Sequence, residues 1–293
     1  MKIRSFSLLS ACLFLSACSP DIATHLNPHS SDNAGIIGGT RVEERSSPAA
    51  RSVVLIEMTN ASGFPLGFCS ATLIGRNTVL TAGHCFDKTR IPKLAGFNVV
   101  FTNDYQSFSK DERRKGKAHM VHPDYNSTKK FFDHDLAVAV FQGPLPKDYE
   151  PVAYDEDVNA KYAGDKVYVY GYGRSQDYSG KKTELTYLHI GQLHRGVMQI
   201  EGTYDRFPDR YWTNHQIPTF ICQGDSGGPQ FRHENGELKL IGVNSAVYGP
   251  ELPNGLTSCK GIAQATKVAP FAEWIKSVRY TLTTEFSETF LEH

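Results

Sequence analysis

The sequence predicts an all-β fold, built from many short strands and finished by one C-terminal helix. Three observations carry that prediction. From Ile36 onward, short runs of β-branched, aromatic and aliphatic residues recur, each bounded by Gly, Pro, Asn or Asp, as in a β-sandwich or barrel. Asn235-Gly236 separates Pro229-Gln230-Phe231 from Leu238-Lys239-Leu240, a strong hairpin signal because a tight turn needs two residues that tolerate positive φ. Helical spacing is convincing only in Pro270 to Val278, where Phe271, Trp274, Ile275 and Val278 share one face.

Taken in order, the chain opens with Lys2 and Arg4 ahead of an apolar stretch, Leu8 to Leu15, with the length and flanks of an export signal rather than a membrane span. Leu15-Ser16-Ala17-Cys18 resembles the lipobox of bacterial lipoproteins, whose cysteine is acylated and becomes the new N-terminus. Leu9-Ser10-Ala11-Cys12 has the same form, but cutting there leaves almost no apolar region before it. Residues 1–18 are therefore read as a lipoprotein-type signal peptide with Cys18 as the anchor. Residues 19–35 are polar, without apolar period, and read as a tether or pro-segment. Strand-like runs follow at Val53 to Met58, Phe68 to Ile74, Thr78 to Thr81, Asn98 to Phe101 and Leu136 to Phe141. Gly143-Pro144-Leu145-Pro146 suits a connection between two β units. Further runs lie at Lys166 to Tyr170, Glu184 to Ile190, Leu238 to Val243 and Ile262 to Val268. No internal repeat stands out.

Composition narrows the function. Lys+Arg and Asp+Glu number 31 each, so no global field points to nucleic acid. Of six cysteines, Cys12 and Cys18 fall in the leader; Cys69, Cys85, Cys222 and Cys259 remain, and an exported chain would join them as two disulfides in one of three pairings. His119 and His122 are better read as strand histidines than as ligands. The spacing of Asp104, Asp111 and Glu112 does not form a cation loop, so neither metal nor cofactor is expected.

Hydrolysing an amide through serine needs a nucleophile, a base, an orienter for the base and donors for the oxyanion. Gly224-Asp225-Ser226-Gly227-Gly228-Pro229 offers a serine among glycines, whose freedom at positive φ lets amides point into a cavity. Thr81-Ala82-Gly83-His84-Cys85 places a histidine just past a strand. Asp133-His134-Asp135-Leu136-Ala137-Val138 sends an acid into an apolar strand, where acids are rarely found unless paired. Each segment has an ordinary structural reading alone; together they give the order His, Asp, Ser.

With Ile36-Ile37-Gly38-Gly39, Gly171-Tyr172-Gly173, Asn244-Ser245 and the closing Val268 to Val278, these segments make the chain resemble the trypsin/chymotrypsin family from Ile36 to about Val278. The resemblance implies two antiparallel six-stranded Greek-key β-barrels, at 36–148 and 149–266, with the helix and tail at 267–293. It implies Ser226 as nucleophile, His84 as general base and then acid, and Asp135 as the group that fixes the imidazole. It further implies an oxyanion hole from the amides of Gly224 and Ser226, Ser245 bonded to Asp135, and disulfides Cys69–Cys85 and Cys222–Cys259. Cutting before Ile36 would free an ammonium to pair with Asp225, so the precursor would be a zymogen with protein or peptide substrates, released from the membrane by the same cut.

The substrate pocket departs from the tryptic pattern. Phe220 stands where tryptic relatives carry an acid, Val247 where many carry Gly, and Ala263 near the other wall. A substrate cation there would be buried unpaired, so cleavage after small or medium apolar residues is expected. The competing reading is a catalytically silent surface protein on the same fold, in which such a pocket would bind rather than cut.

Overall fold

The structure, a computed structural model, describes residues 36–127, 132–181, 190–203, 206–214 and 217–284. Residues 1–35, which hold the expected signal peptide, Cys18 and the tether, lie outside the described residues, as does the Glu184–Ile190 run up to residue 189. None of the described helices is long and apolar enough to cross a membrane.

The chain begins with β1 (Thr40–Arg41) and a one-turn helix α1 (Pro48–Ser52). The Ser47 side chain caps that helix by accepting from the Ala50 amide, and Pro48 sits where an amide would be unsatisfied anyway. Then come β2 (Val53–Thr59), β3 (Pro65–Gly75), β4 (Thr78–Thr81), β5 (Gly96–Val100), β6 (Arg113–Val121) and β7 (Ala137–Phe141). These six close into an antiparallel barrel in the order β2-β3-β4-β7-β6-β5. After the Gly143–Pro146 connection follow β8 (Ala153–Tyr154), β9 (Lys166–Gly171), β10 (His194–Gly202), β11 (Arg210–Asn214), β12 (Pro229–Glu234), β13 (Glu237–Tyr248) and β14 (Ile262–Lys267). Because β10 pairs with both β9 and β11, the order β9-β10-β11-β14-β13-β12 is a second closed ring. The two rings share one Greek-key connectivity, a repeat in topology that the residues themselves do not display.

Asn235 and Gly236 take φ of 51° and 84°, as the β12–β13 hairpin requires. β1 pairs with β10, so the segment ahead of the first barrel is stitched to the second. Helix α2 (Ala272–Thr284), entered through a 3-10 turn at Ala269–Phe271, buries Phe271, Ile275, Val278 and Leu282 in the core of the first barrel. It runs six residues past the expected end, Val278, because Leu282 continues the buried stripe.

The topology places the chemistry. β4 and β7 are antiparallel neighbours with Thr81 opposite Ala137, so the residues after β4 and before β7 meet at one barrel end. His84 and Asp135 occupy those positions. Ser226 lies just before β12 of the other barrel and is brought to them by the packing of the two rings.

Candidate active site

Asp135 is fully buried and every contact on it is specific. The His84 amide donates to Oδ1 (2.8 Å), His84 Nδ1 lies 2.7 Å from Oδ2, and Ser245 Oγ donates to Oδ2 (2.6 Å). A carboxylate only accepts, so His84 Nδ1 must carry the ring proton and Nε2 is left as the acceptor. Nε2 is the nitrogen that a general base offers to a hydroxyl. His84 sits in a 3-10 turn, Gly83–Phe86, pinned by the Cys69–Cys85 disulfide. Although His84 and those two sulfurs are close together, both sulfurs are spent in the disulfide and cannot ligate a metal.

Ser226 stands in the turn 224–228. Gly224 and Gly227 take positive φ, 96° and 80°, on either side of it, and a Cβ on Gly227 would lie 2.0 Å from Thr81 Oγ1. Within this turn the amides of Asp225, Gly227 and Gly228 bind carbonyls at 2.8–3.0 Å. Among the described residues the amides of Gly224 and Ser226 have no such partner. Two orphan N–H groups beside a serine are what an oxyanion needs.

Ser70, on β3, fastens this turn to the first barrel. Its amide donates to the Ser226 carbonyl (2.8 Å), and its hydroxyl donates to the Gly224 carbonyl (2.8 Å) while accepting from the Tyr172 amide (3.0 Å). Sequence reading passed over Ser70; a buried polar residue next to a half-cystine was the available signal. It also missed Gln264, whose Nε2 donates to Ser245 Oγ (3.3 Å) and to the Phe132 carbonyl (2.9 Å). Its signal was one amide within the small, apolar run Ile262 to Ala265.

Asp225 is fully buried, held by the amides of Cys222 and Gly173 at 2.8 Å each. Burial without a counter-charge pushes its carboxyl up to about 7, against the pull of those two amides. Ile36 is likewise buried, packed in the core of the second barrel, and Ile37 pairs with Phe220. Ile36 has φ of 40°, a strained value for a β-branched residue.

His84 and Ser226 line one cavity of about 280 Å³, together with Arg90, Phe132, Ile221, Gln223 and a wall from Ser245 to Tyr248. The Cys222–Cys259 disulfide closes its far side. Of the four residues expected to shape the pocket, Ser245 and Val247 line it. Phe220 packs instead with Ile37, Tyr178 and the second disulfide. Ala263 is buried in the second barrel core, beside its strand partner Val247. Ile221, Thr257 and Ser258, which the sequence reading did not name, take part in the lining.

Outside the cavity, the Asp104 carboxylate is taken up by Arg41, Gln192 and the Gln106 amide, and Glu112 turns back onto the Ser109 amide. His119 stacks on Phe86, and His122 on His134.

Comparison with known proteins agrees with this architecture. A family model described as Trypsin matches residues 36–275. Chymotrypsin-like elastase family member 1 of Macaca fascicularis is 25% identical over 255 residues, which span 83% of this chain and 89% of the relative. Its counterparts in Rattus norvegicus and Homo sapiens are also 25% identical, over 84% of this chain and 90% and 93% of their own.

Proposed function

Because the chain belongs to the trypsin family of serine proteases, we propose that it is an exported endopeptidase with Ser226, His84 and Asp135 as its catalytic triad. The observation that carries the reading is the His84–Asp135 pair, oriented with Nε2 free, in the same cavity as Ser226.

In the proposed reaction Ser226 Oγ attacks the scissile carbonyl carbon while its proton passes to His84 Nε2. The carbonyl oxygen becomes an oxyanion held by the amides of Gly224 and Ser226. Asp135, kept in place by Ser245, stabilises the imidazolium. Collapse expels the amine, which takes the proton from Nε2, and water then hydrolyses the acyl-enzyme by the same steps in reverse roles. Hydrolysis of a protein substrate by wild type, against Ser226→Ala and His84→Ala, tests this. Each variant should lose several orders of magnitude in turnover; equal rates would end the assignment.

A specificity for small or medium apolar residues is supported by Ile221 and Val247 in a small cavity that, among the described residues, no carboxylate lines. A peptide-library digest showing cleavage after Arg or Lys would overturn it.

Activation by cutting before Ile36 draws support from two sources of stored cost. The positive φ of Ile36 exists only while residue 35 is attached, and Asp225 is an acid buried without a cation. The cut removes the first and supplies an ammonium for the second. Since Ala34-Gly35 precedes the bond, the activating protease accepts small residues, and this enzyme is itself a candidate. With Cys18 acylated, the cut also sheds the domain from the membrane. N-terminal sequencing of bound and released forms decides between routes. Wild type released from Ile36 with Ser226→Ala retained means autolysis; an active form still starting at Cys18 refutes the zymogen.

A further inference from the structure

We infer that the substrate is an acidic polypeptide, held at Arg90 beside the reacting groups and along a basic groove on the first barrel; this rests on the protease reading above.

Around the catalytic cavity three planar groups stand in series. The Phe132 ring stacks on the His84 imidazole with centroids 5.3 Å apart, and the Arg90 guanidinium lies 4.9 Å from the Phe132 centroid. Arg90 is exposed, lines the cavity, and has no ion-pair partner among the described residues. Asp87, the acid nearest to it in sequence, is engaged by the Thr89 amide (2.8 Å), the Thr89 hydroxyl (2.7 Å) and the Tyr125 hydroxyl (3.1 Å). Among the described residues no Asp or Glu lines the cavity, and Arg90 is the one permanently charged side chain that does. A substrate side chain packed on Phe132 would therefore meet a cation whose planar fork suits a carboxylate.

The second observation is independent. A groove of about 940 Å³, larger than the catalytic cavity, runs between the 59–63 turn and the edge where β5 meets β6. Lys110, Arg113, Lys115 and Lys117 line it, and among the described residues no acidic one does. Arg113 is partly neutralised from below by buried Glu57 (2.8 Å), but Lys110 and Lys115 have no ion-pair partner among the described residues. A chain with no net charge has thus gathered cations on one face, which the overall balance concealed. His119, also in the groove, stacks on Phe86 at 4.1 Å, so the groove borders the turn that carries His84. Each exposed pairing is worth little, but several cations in one groove sum to a steering field.

The test uses the full chain carrying Ser226→Ala and two labelled peptides that differ only in Glu against Gln. By fluorescence anisotropy the Glu peptide should bind about tenfold more tightly at low ionic strength, with the margin shrinking as salt screens it. Arg90→Gln should remove about fivefold of that preference, and Lys110→Glu with Lys115→Glu most of the rest. Equal affinities would overturn the inference, as would a preference that survives both variants. So would binding of a sulfated oligosaccharide with no discrimination between the peptides. With wild type, kcat/KM higher for the Glu peptide supports the inference, whereas equal cleavage of both overturns it and leaves the protease reading intact. Glu-selective binding with no cleavage of either would instead overturn the protease reading and leave the anionic site.

Discussion

The two barrels have the same strand order and differ in which polar groups they bury. In the first, β2 and β7 are buried along their whole length, and the polar side chains buried on β2 to β4 are small hydroxyls (Thr59, Ser70, Thr72, Thr78, Thr81) and one acid, Glu57. The second buries Gln230, Asn244, Gln264, Arg210, Thr213 and Thr266 along with its apolar core. The first barrel carries His84 and Asp135, and Ser245 of the second completes the bonding of that pair. A polar interior is worth its cost only when each group is satisfied, and the Ser226 side still contains Asp225 without a cation. On the proposed reading, base and orienter are set by folding, while the nucleophile's loop waits on a change in charge.

The largest expected effect falls on the rigid side. Asp135→Asn can offer His84 Nδ1 a donor where an acceptor is needed, which inverts the tautomer. Turnover should drop by about ten-thousandfold with little loss of stability. A drop below about tenfold would mean the pair is structural.

The disulfides separate the barrels by stability. Chain-entropy arguments give about 3 kcal/mol for the bridge closing a separation of 16 and about 4 kcal/mol for that of 37. Denaturant unfolding of the paired-alanine variants checks both. Loss of Cys222–Cys259 should also raise KM, because that bridge walls the cavity.

A pH effect isolates the conditional barrel. The folded pKa of Asp225, about 7, lies above its ordinary 3.8. Its neutral form therefore stabilises the uncut chain fully below about pH 4, and that contribution is lost as pH rises through 7. Uncut Ser226→Ala should lose Tm between about pH 4 and pH 7, and Asp225→Asn should flatten the profile. The chain cut before Ile36 should be flat as well, if the new ammonium pairs with the carboxylate as proposed. Identical profiles for cut and uncut chains would break the contrast between the barrels.

The smallest effect concerns the seam. Ser70→Ala leaves the Gly224 carbonyl and the Tyr172 amide without their partner, at a cost of about 1–3 kcal/mol. Part of that cost should appear as reduced kcat, because the carbonyl held is in the proposed oxyanion turn. A stability loss with kcat intact would make Ser70 a purely structural clamp.

What could be read beforehand follows the same division. In the first barrel β2, β4 and β7 show as apolar runs because they are buried along their whole length, and the bounds of β4 are those its sequence predicts. β6 was invisible, since Arg113 to Lys117 carry charge outward and Gly116 gives up its side chain to the Phe97 ring. β10 alternates properly in burial, yet its inward positions include His194 and Gly196, which hide the period. In the site, the proposed triad is legible because Ser226, His84 and Asp135 each come with characteristic neighbours. The supporting groups were not. Ser70, Gln264 and Phe132 gain their meaning only from partners distant in sequence, and Phe220 was assigned to the pocket by position when its packing turns it toward Ile37.

The most direct test of the account is to treat the processed chain with a fluorophosphonate and map the adduct by peptide mass spectrometry. A single adduct on Ser226, absent in His84→Ala and in the uncut chain, is the predicted result. Equal labelling of cut and uncut chains, or labelling away from Ser226, would contradict the picture of a preset base facing a conditional nucleophile.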